Sequence, residues 1–179
     1  MTDPYRTGHC AVVIDGTVLV AAGSYGSKLN DVWRSSDGMT WIQVTSSASF
    51  SPRAGHGCAV VGTQMVLVGG YGSTGYLNDV WVSPDMGSSW TQMAADSFAA
   101  RYFFGIAAFL GKLWVIGGSG SSYYNEAWYS DSTSLNNWTL ANAAAVSFSR
   151  FGLGVTVFNN RMWLAAGFNG YEYLNDVWR

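Results

Sequence analysis

The chain has 179 residues, 49% apolar and only 11% charged, which is enough apolar material for a packed core and too much for a disordered segment. A net charge of −2 with scattered Lys and Arg excludes a reader of nucleic-acid backbones, and no apolar run approaches the ~18 residues of a membrane-spanning helix. Nine Trp, ten Tyr and nine Phe stand where charge is usually found, so sheets packed through flat aromatic faces are expected.

In chain order, Arg6, Arg53, Arg101 and Arg150 open four copies of one pattern, 47, 48 and 49 residues apart. A run of small apolar residues follows each arginine (9–14, 57–61, 105–110 and 154–158) and predicts an innermost strand where space is short. Turn dipeptides come next: Asp15-Gly16, Gly62-Thr63, Gly111-Lys112 and Asn159-Asn160. A second strand, apolar on both faces, spans 18–23, 65–70, 113–118 and 162–167 and closes on a glycine that leaves the sheet at positive φ. Loops rich in Tyr, Ser, Gly and Asn follow at 24–28, 71–76, 119–124 and 168–173.

The third strand carries an Asn-acid-apolar-Trp motif, at Asn30-Asp31-Val32-Trp33, Asn78-Asp79-Val80-Trp81, Asn125-Glu126-Ala127-Trp128 and Asn175-Asp176-Val177-Trp178. A fourth strand begins at Trp41, Trp90 and Trp138 and has no counterpart in the last copy. A period near 50 with several short strands per unit is the signature of propeller blades, which bury their faces by stacking side by side. The expected fold is therefore all-β: a β-propeller of four-stranded blades, about four per chain, with repeats near 6–52, 53–100, 101–149 and 150–179. The last blade lacks its outer strand, and an open edge invites pairing.

Cys10 lies four residues past Arg6 and Cys58 five past Arg53. That parity points them to opposite faces of their strands, so two free thiols are expected rather than a bridge. Free thiols, and a start at Met1 that runs straight into the first repeat, suggest the cytoplasm.

Catalytic chemistry is not expected. Seven of the 11 acids sit on repeat positions; of the others, Asp15 serves a turn and Asp3 lies near the start, which leaves Asp96 and Glu172. A glycosidase needs a close carboxylate pair, and nothing in the sequence brings those two together. His9 and His56 share a repeat position with Phe104 and Leu153, which reads as packing rather than as a metal site. No phosphate loop opens a helix, and no cofactor is implied.

The opening arginine, the doublet at Gly69-Gly70 and Gly117-Gly118 (Ala22-Gly23 and Ala166-Gly167 elsewhere) and the downstream Trp resemble the kelch family over nearly the whole chain. The resemblance implies four-stranded propeller blades, usually five to eight per ring, so about four leaves three arrangements: a fragment, a tight ring turning ~90° per blade, or half of a larger ring closed by a second copy. The segments 83–90, 35–41 and 130–138 are similar to the Asp-box of sialidase-type propellers, which implies a structural hairpin rather than a catalytic site.

The loops after the second strand and those between blades share one propeller face, the face with which kelch-like propellers hold partner peptides. Candidate ligand-binding residues there are Arg6, Arg53, Arg101, Arg150, Tyr25, Tyr71, Tyr76, Tyr123, Tyr124, Phe168, Asn169, Tyr171 and Tyr173. Each arginine also has a structural use, pairing with the Asn-acid step of its own repeat. The leading expectation is a non-enzymatic module that binds a protein or peptide. The alternatives are a glycan-binding propeller and an architectural half-propeller that self-associates.

Overall fold

The computed structural model describes residues 5–93 and 98–179 and is all-β, with antiparallel pairing throughout. Asp3 and Asp96 lie outside the described residues. Blade 1 comprises β1 (Cys10–Ile14), β2 (Thr17–Tyr25), β3 (Ser27–Ser35) and β4 (Ile42–Thr45). Blade 2 opens with a short clip, β5 (Arg53–Ala54), followed by β6 (Gly57–Val61), β7 (Gln64–Gly72), β8 (Gly75–Ser83) and β9 (Thr91–Gln92). Blade 3 has the clip β10 (Arg101–Tyr102), then β11 (Gly105–Phe109), β12 (Lys112–Ile116), β13 (Ser119–Gly120), β14 (Ala127–Asp131) and β15 (Trp138–Asn142). Blade 4 consists of β16 (Gly154–Phe158), β17 (Arg161–Ala165) and β18 (Val177–Trp178).

The first hairpin of each blade turns on paired left-handed residues, Asp15-Gly16, Leu110-Gly111 and Asn159-Asn160, the geometry that suits the right-handed twist of the strands. In blade 3 the turn sits one residue earlier than its sequence suggests, because Lys112 already pairs with Phe109. The segments expected as loops at 24–28 and 71–76 are instead the ends of long ribbons, with Tyr25 opposite Ser27 and Tyr71 opposite Tyr76. The glycine closing each second strand has no substitute: a Cβ on Gly70 would lie 2.8 Å from the His56 Cβ, and its φ is +102°.

The core is a set of layers between blades. On blade 2, Cys58, Val60, Met65, Leu67 and Trp81 face blade 1, where they meet Cys10, Ile14, Leu19, Ala21 and Val32. The opposite face of blade 2, with Ala59, Val61, Val66, Val68, Val80 and Val82, meets Phe104, Ile106, Leu113 and Val115 of blade 3. Ile116 and Ala127 of blade 3 then meet Leu153, Val155, Met162 and Leu164 of blade 4. Alternation along each strand puts one set of side chains toward the preceding blade and the other toward the following one.

That geometry corrects the cysteine expectation. Cys10 and Cys58 do point to opposite faces of their own blades, and they are joined in a disulfide with Cα atoms 5.8 Å apart. Opposite faces of consecutive blades are the ones that meet, so the parity that forbids a bridge within one sheet requires it between two. No free cysteine is found among the described residues, and the argument for a reducing compartment falls with it. Among the described residues, no helix is long and apolar enough to cross a membrane.

The bridge closes a loop of 48 residues, for which chain entropy gives about 4 kcal/mol of stabilisation. Urea unfolding of the oxidised protein and of Cys10→Ala/Cys58→Ala should differ by up to that amount, with the variant less stable; equal midpoints would show that the bridge does not restrain the two blades.

Candidate functional site

The four repeated arginines converge on one arrangement. Arg53 Nη1 and Nη2 donate to the two carboxylate oxygens of Asp79 at 2.6 and 2.8 Å, and Nη1 also donates to the Gly69 carbonyl at 3.0 Å. Arg6 holds Asp31 and the Ala22 carbonyl in the same way, and Arg150 holds Asp176 and the Ala166 carbonyl. Each clamp ties the segment that opens a blade to its second and third strands. The accepting carbonyl always belongs to a residue at positive φ: Ala22 (+52°), Gly69 (+55°), Gly117 (+63°) or Ala166 (+59°). The doublet is therefore a device for aiming a carbonyl at the arginine, and its first member tolerates alanine.

The motif's other residues complete the clamp. Trp33, Trp81 and Trp178 donate their indole N–H to the clamped carboxylate at 2.7, 2.7 and 2.8 Å. Asn30, Asn78 and Asn125 donate to carbonyls of the segment leading to the next blade, at Phe50, Phe98 and Val146. Phe50 then packs edge-on to Trp90, and Phe98 edge-on to Trp138. Blade 3 differs because Glu126 replaces Asp: it takes one bond from Arg101, and the buried Trp128 indole N–H is left without a partner.

Electrostatics follow from these contacts. The Arg150 hydrogen bond, with help from Trp178, holds the Asp176 carboxyl at about 2 against the opposing effect of burial. Burial raises Asp31, but the bonds from Arg6 and Trp33 outweigh it and the net shift is downward. Burial lowers Arg101, and Glu126 opposes that. Asp37 and Asp85 are occupied by their own turns: Asp37 accepts from the Met39 and Thr40 amides, and Asp85 from Ser89.

Arg53, Arg101 and Arg150 have no exposed surface. Beyond them lies a run of aromatic rings that crosses from blade to blade. Tyr76 and Tyr71 touch with centroids 5.2 Å apart, and both reach Tyr102, at 5.5 and 6.1 Å. Tyr102 contacts Phe103 at 5.0 Å and stacks on Phe151 at 6.2 Å; Phe151 stacks on Tyr123 at 5.5 Å. Phe168 and Tyr173 continue the run at 5.7 and 5.0 Å. At the other end, Lys28 caps Tyr71 with its ammonium 3.9 Å from the ring centre.

Of the residues singled out from sequence, Tyr71, Tyr76, Tyr123, Phe168 and Tyr173 come together in this run. Tyr25 and Tyr171 are exposed outside it. Tyr124 lies under the Arg101 guanidinium at 4.2 Å, so it supports the clamp. Asn169 shapes its own turn by accepting from the Tyr171 and Glu172 amides. Glu172 is exposed in that turn.

Tyr102, Phe103 and Phe151, the centre of the run, escaped the sequence reading. Their signal was an aromatic directly after the arginine in the third and fourth copies only. Phe103 is also exposed at a φ of +48°, where the other copies have Gly8, Gly55 and Gly152, so a bulky ring is held in a conformation that glycine would adopt more easily. His56, Phe104 and Leu153 are buried, as a packing position requires, whereas His9 is exposed. Among the described residues, no three His, Cys, Asp or Glu side chains are placed to hold a metal ion.

His56 yields a pH test. Burial, reinforced by the charges of Arg53 and His9 and opposed by Asp79, pushes its imidazole down to about 3. Its folded pKa lies below the unfolded value near 6.5, so its contribution is intact above pH 6.5 and is lost as pH falls toward 3. Between pH 6 and 5, unfolding free energy should drop by about 1.4 kcal/mol per pH unit. His56→Leu, the residue type found at this position in blade 4, should flatten that slope in denaturation curves; an unchanged slope would rule His56 out as its source.

Family models were compared with the chain on this footing. The KLHDC2/KLHL20/DRC7 Kelch-repeats domain matches residues 2–147, and the Kelch motif matches residues 149–179. The curated proteins include no match. The recurring clamp and the family match over most of the sequence place this chain in the kelch-repeat family, whose domains generally mediate protein–protein interaction.

Proposed function

We propose that this chain is a non-enzymatic binding module that takes an extended protein segment across the aromatic run of its loop face. The observation that carries the reading is the unbroken contact of rings from Tyr76 through Tyr102 and Phe151 to Phe168, spanning blades 2 to 4. Several of these rings are well exposed: Tyr71 at 41%, Phe103 at 41% and Tyr123 at 44%. Rigid rings give contact area at low entropic cost, and neighbouring Ser and Asn groups add adaptable hydrogen bonding.

The repeated arginines support this surface from below. Their donors are taken up by carboxylates and carbonyls within each blade, so a ligand is selected by flat apolar and aromatic contact more than by a negative charge. A segment in an extended or polyproline conformation, with prolines or rings on one side, fits a row of aromatic side chains.

Peptides selected from a display library on the native protein provide the test, measured by titration against native protein and Tyr71→Ala/Tyr102→Ala. Central aromatic contacts of this kind cost about 2 kcal/mol or more when truncated, roughly a 30-fold loss of affinity. The double variant should show that loss with an unchanged circular dichroism spectrum. Equal binding would move the site elsewhere, and ring-dependent binding on a glycan array without peptide selection would favour a lectin.

A further inference from the structure

The four blades form an arc with two unlike ends. The inner strands β1, β6, β11 and β16 pack in succession, each on the next, but β1 and β16 do not pack on each other in that way. The end faces that result are apolar and uncovered. On blade 4, Phe158 is 63% and Val177 64% exposed, beside Thr156 and the half-buried Trp163. On blade 1, Val13 is 61% exposed, beside His9, Ala11, Val18 and Trp33.

Register shows what these faces match. Gly57 pairs with Val68, Gly105 with Ile116 and Gly154 with Ala165, so the three glycines hold one position in blades 2, 3 and 4. Each faces the following blade. A Cβ on Gly57 would meet Ile106 and Phe104, at 3.1 and 2.7 Å, and one on Gly105 would overlap Val155. These glycines are sockets filled by the first inner-strand residues of the next blade. Gly154 is the same socket with nothing in it: the nearest atom to its would-be Cβ is the Ala165 carbonyl oxygen at 3.9 Å. The residue that corresponds by register to Ile106 and Val155 on blade 1 is Ala11, on the exposed end face.

A second observation is independent of side chains. The N–H of Gly55 donates to the Gly8 carbonyl at 2.8 Å, Phe103 to Gly55 at 2.7 Å and Gly152 to Phe103 at 2.7 Å. One directional ladder thus runs through all four blades. Among the described residues its two ends are unengaged: the Gly8 N–H remains as donor and the Gly152 carbonyl as acceptor.

We infer that a second copy of this chain docks head to tail, with its blade 1 end face on the blade 4 end face of the first. In this arrangement Ala11 enters the Gly154 socket and Gly8 donates to Gly152. Because each copy carries both ends, two such junctions close a two-copy ring of eight blades, within the range that propellers adopt. Each junction reproduces an interface the chain already builds three times internally. The inference stands apart from the loop-face reading, since none of its residues belongs to the aromatic run.

The native bridge supplies the experiment. Cys10 occupies the socket position of blade 1 and Cys58 the entering position of blade 2, and they are bonded. Ala11→Cys/Gly154→Cys places the same pair at the open ends. Mild oxidation should yield a covalent dimer on non-reducing electrophoresis, with an 11–154 bridge found by peptide mapping and no such dimer from either single variant. The native protein should scatter light at twice its 19.3 kDa chain mass. Gly154→Val, which meets no atom of its own chain, should be monomeric at an unchanged melting temperature. A monomeric native protein, an 11–154 bridge within one chain, or an open polymer would each overturn the two-copy ring.

Discussion

An arginine cannot shed its proton to escape burial, so a chain that buries four of them has to surround each with fixed acceptors. Here the acceptors come from three strands of the same blade. Arg53 is held by the two oxygens of Asp79 and the Gly69 carbonyl, and by Ser51 on the approach to the strand. Removing one partner of such a buried pair leaves an uncompensated charge, which costs about 3–5 kcal/mol. The clamp therefore fixes where the second strand ends, where the third begins and how the next blade is approached. The left-handed carbonyl, the indole N–H and the motif asparagine are all arranged around it.

The clamp also divides the labour of the loop face. Because the guanidinium donors are occupied below, the exposed layer above is free to be aromatic. The run of rings depends on the clamps for position: Tyr102 follows Arg101 directly, and Phe151 follows Arg150. A rigid blade core thus presents a neutral surface in a family whose domains generally bind proteins. The low charge of the sequence has the same origin, since most of the acids are committed to clamps and turns.

Much of this was legible in the sequence because it repeats. The arginines and the acids of the Trp motif recur in step within a chain that has few charges, so their pairing was readable from spacing alone. What escaped is what lies between repeats. The Cys10–Cys58 bridge was missed because side-chain parity was judged within one sheet, whereas stacked blades join opposite faces of consecutive sheets. Tyr102, Phe103 and Phe151 were missed because their contacts cross from blade to blade and their positions are aromatic in only two copies. The long ribbons at Tyr25 and Tyr71 were read as loops because their Gly, Ser and Tyr content does not separate a loop from a hairpin tip.

A double-mutant cycle on Arg53 and Asp79, using Arg53→Met and Asp79→Asn in urea unfolding, addresses the clamp most directly. A coupling energy of about 3 kcal/mol or more is expected for a buried, bidentate pair on which the blade depends. A coupling below about 1 kcal/mol, the range of exposed ion pairs, would contradict the clamp as the organiser of the fold.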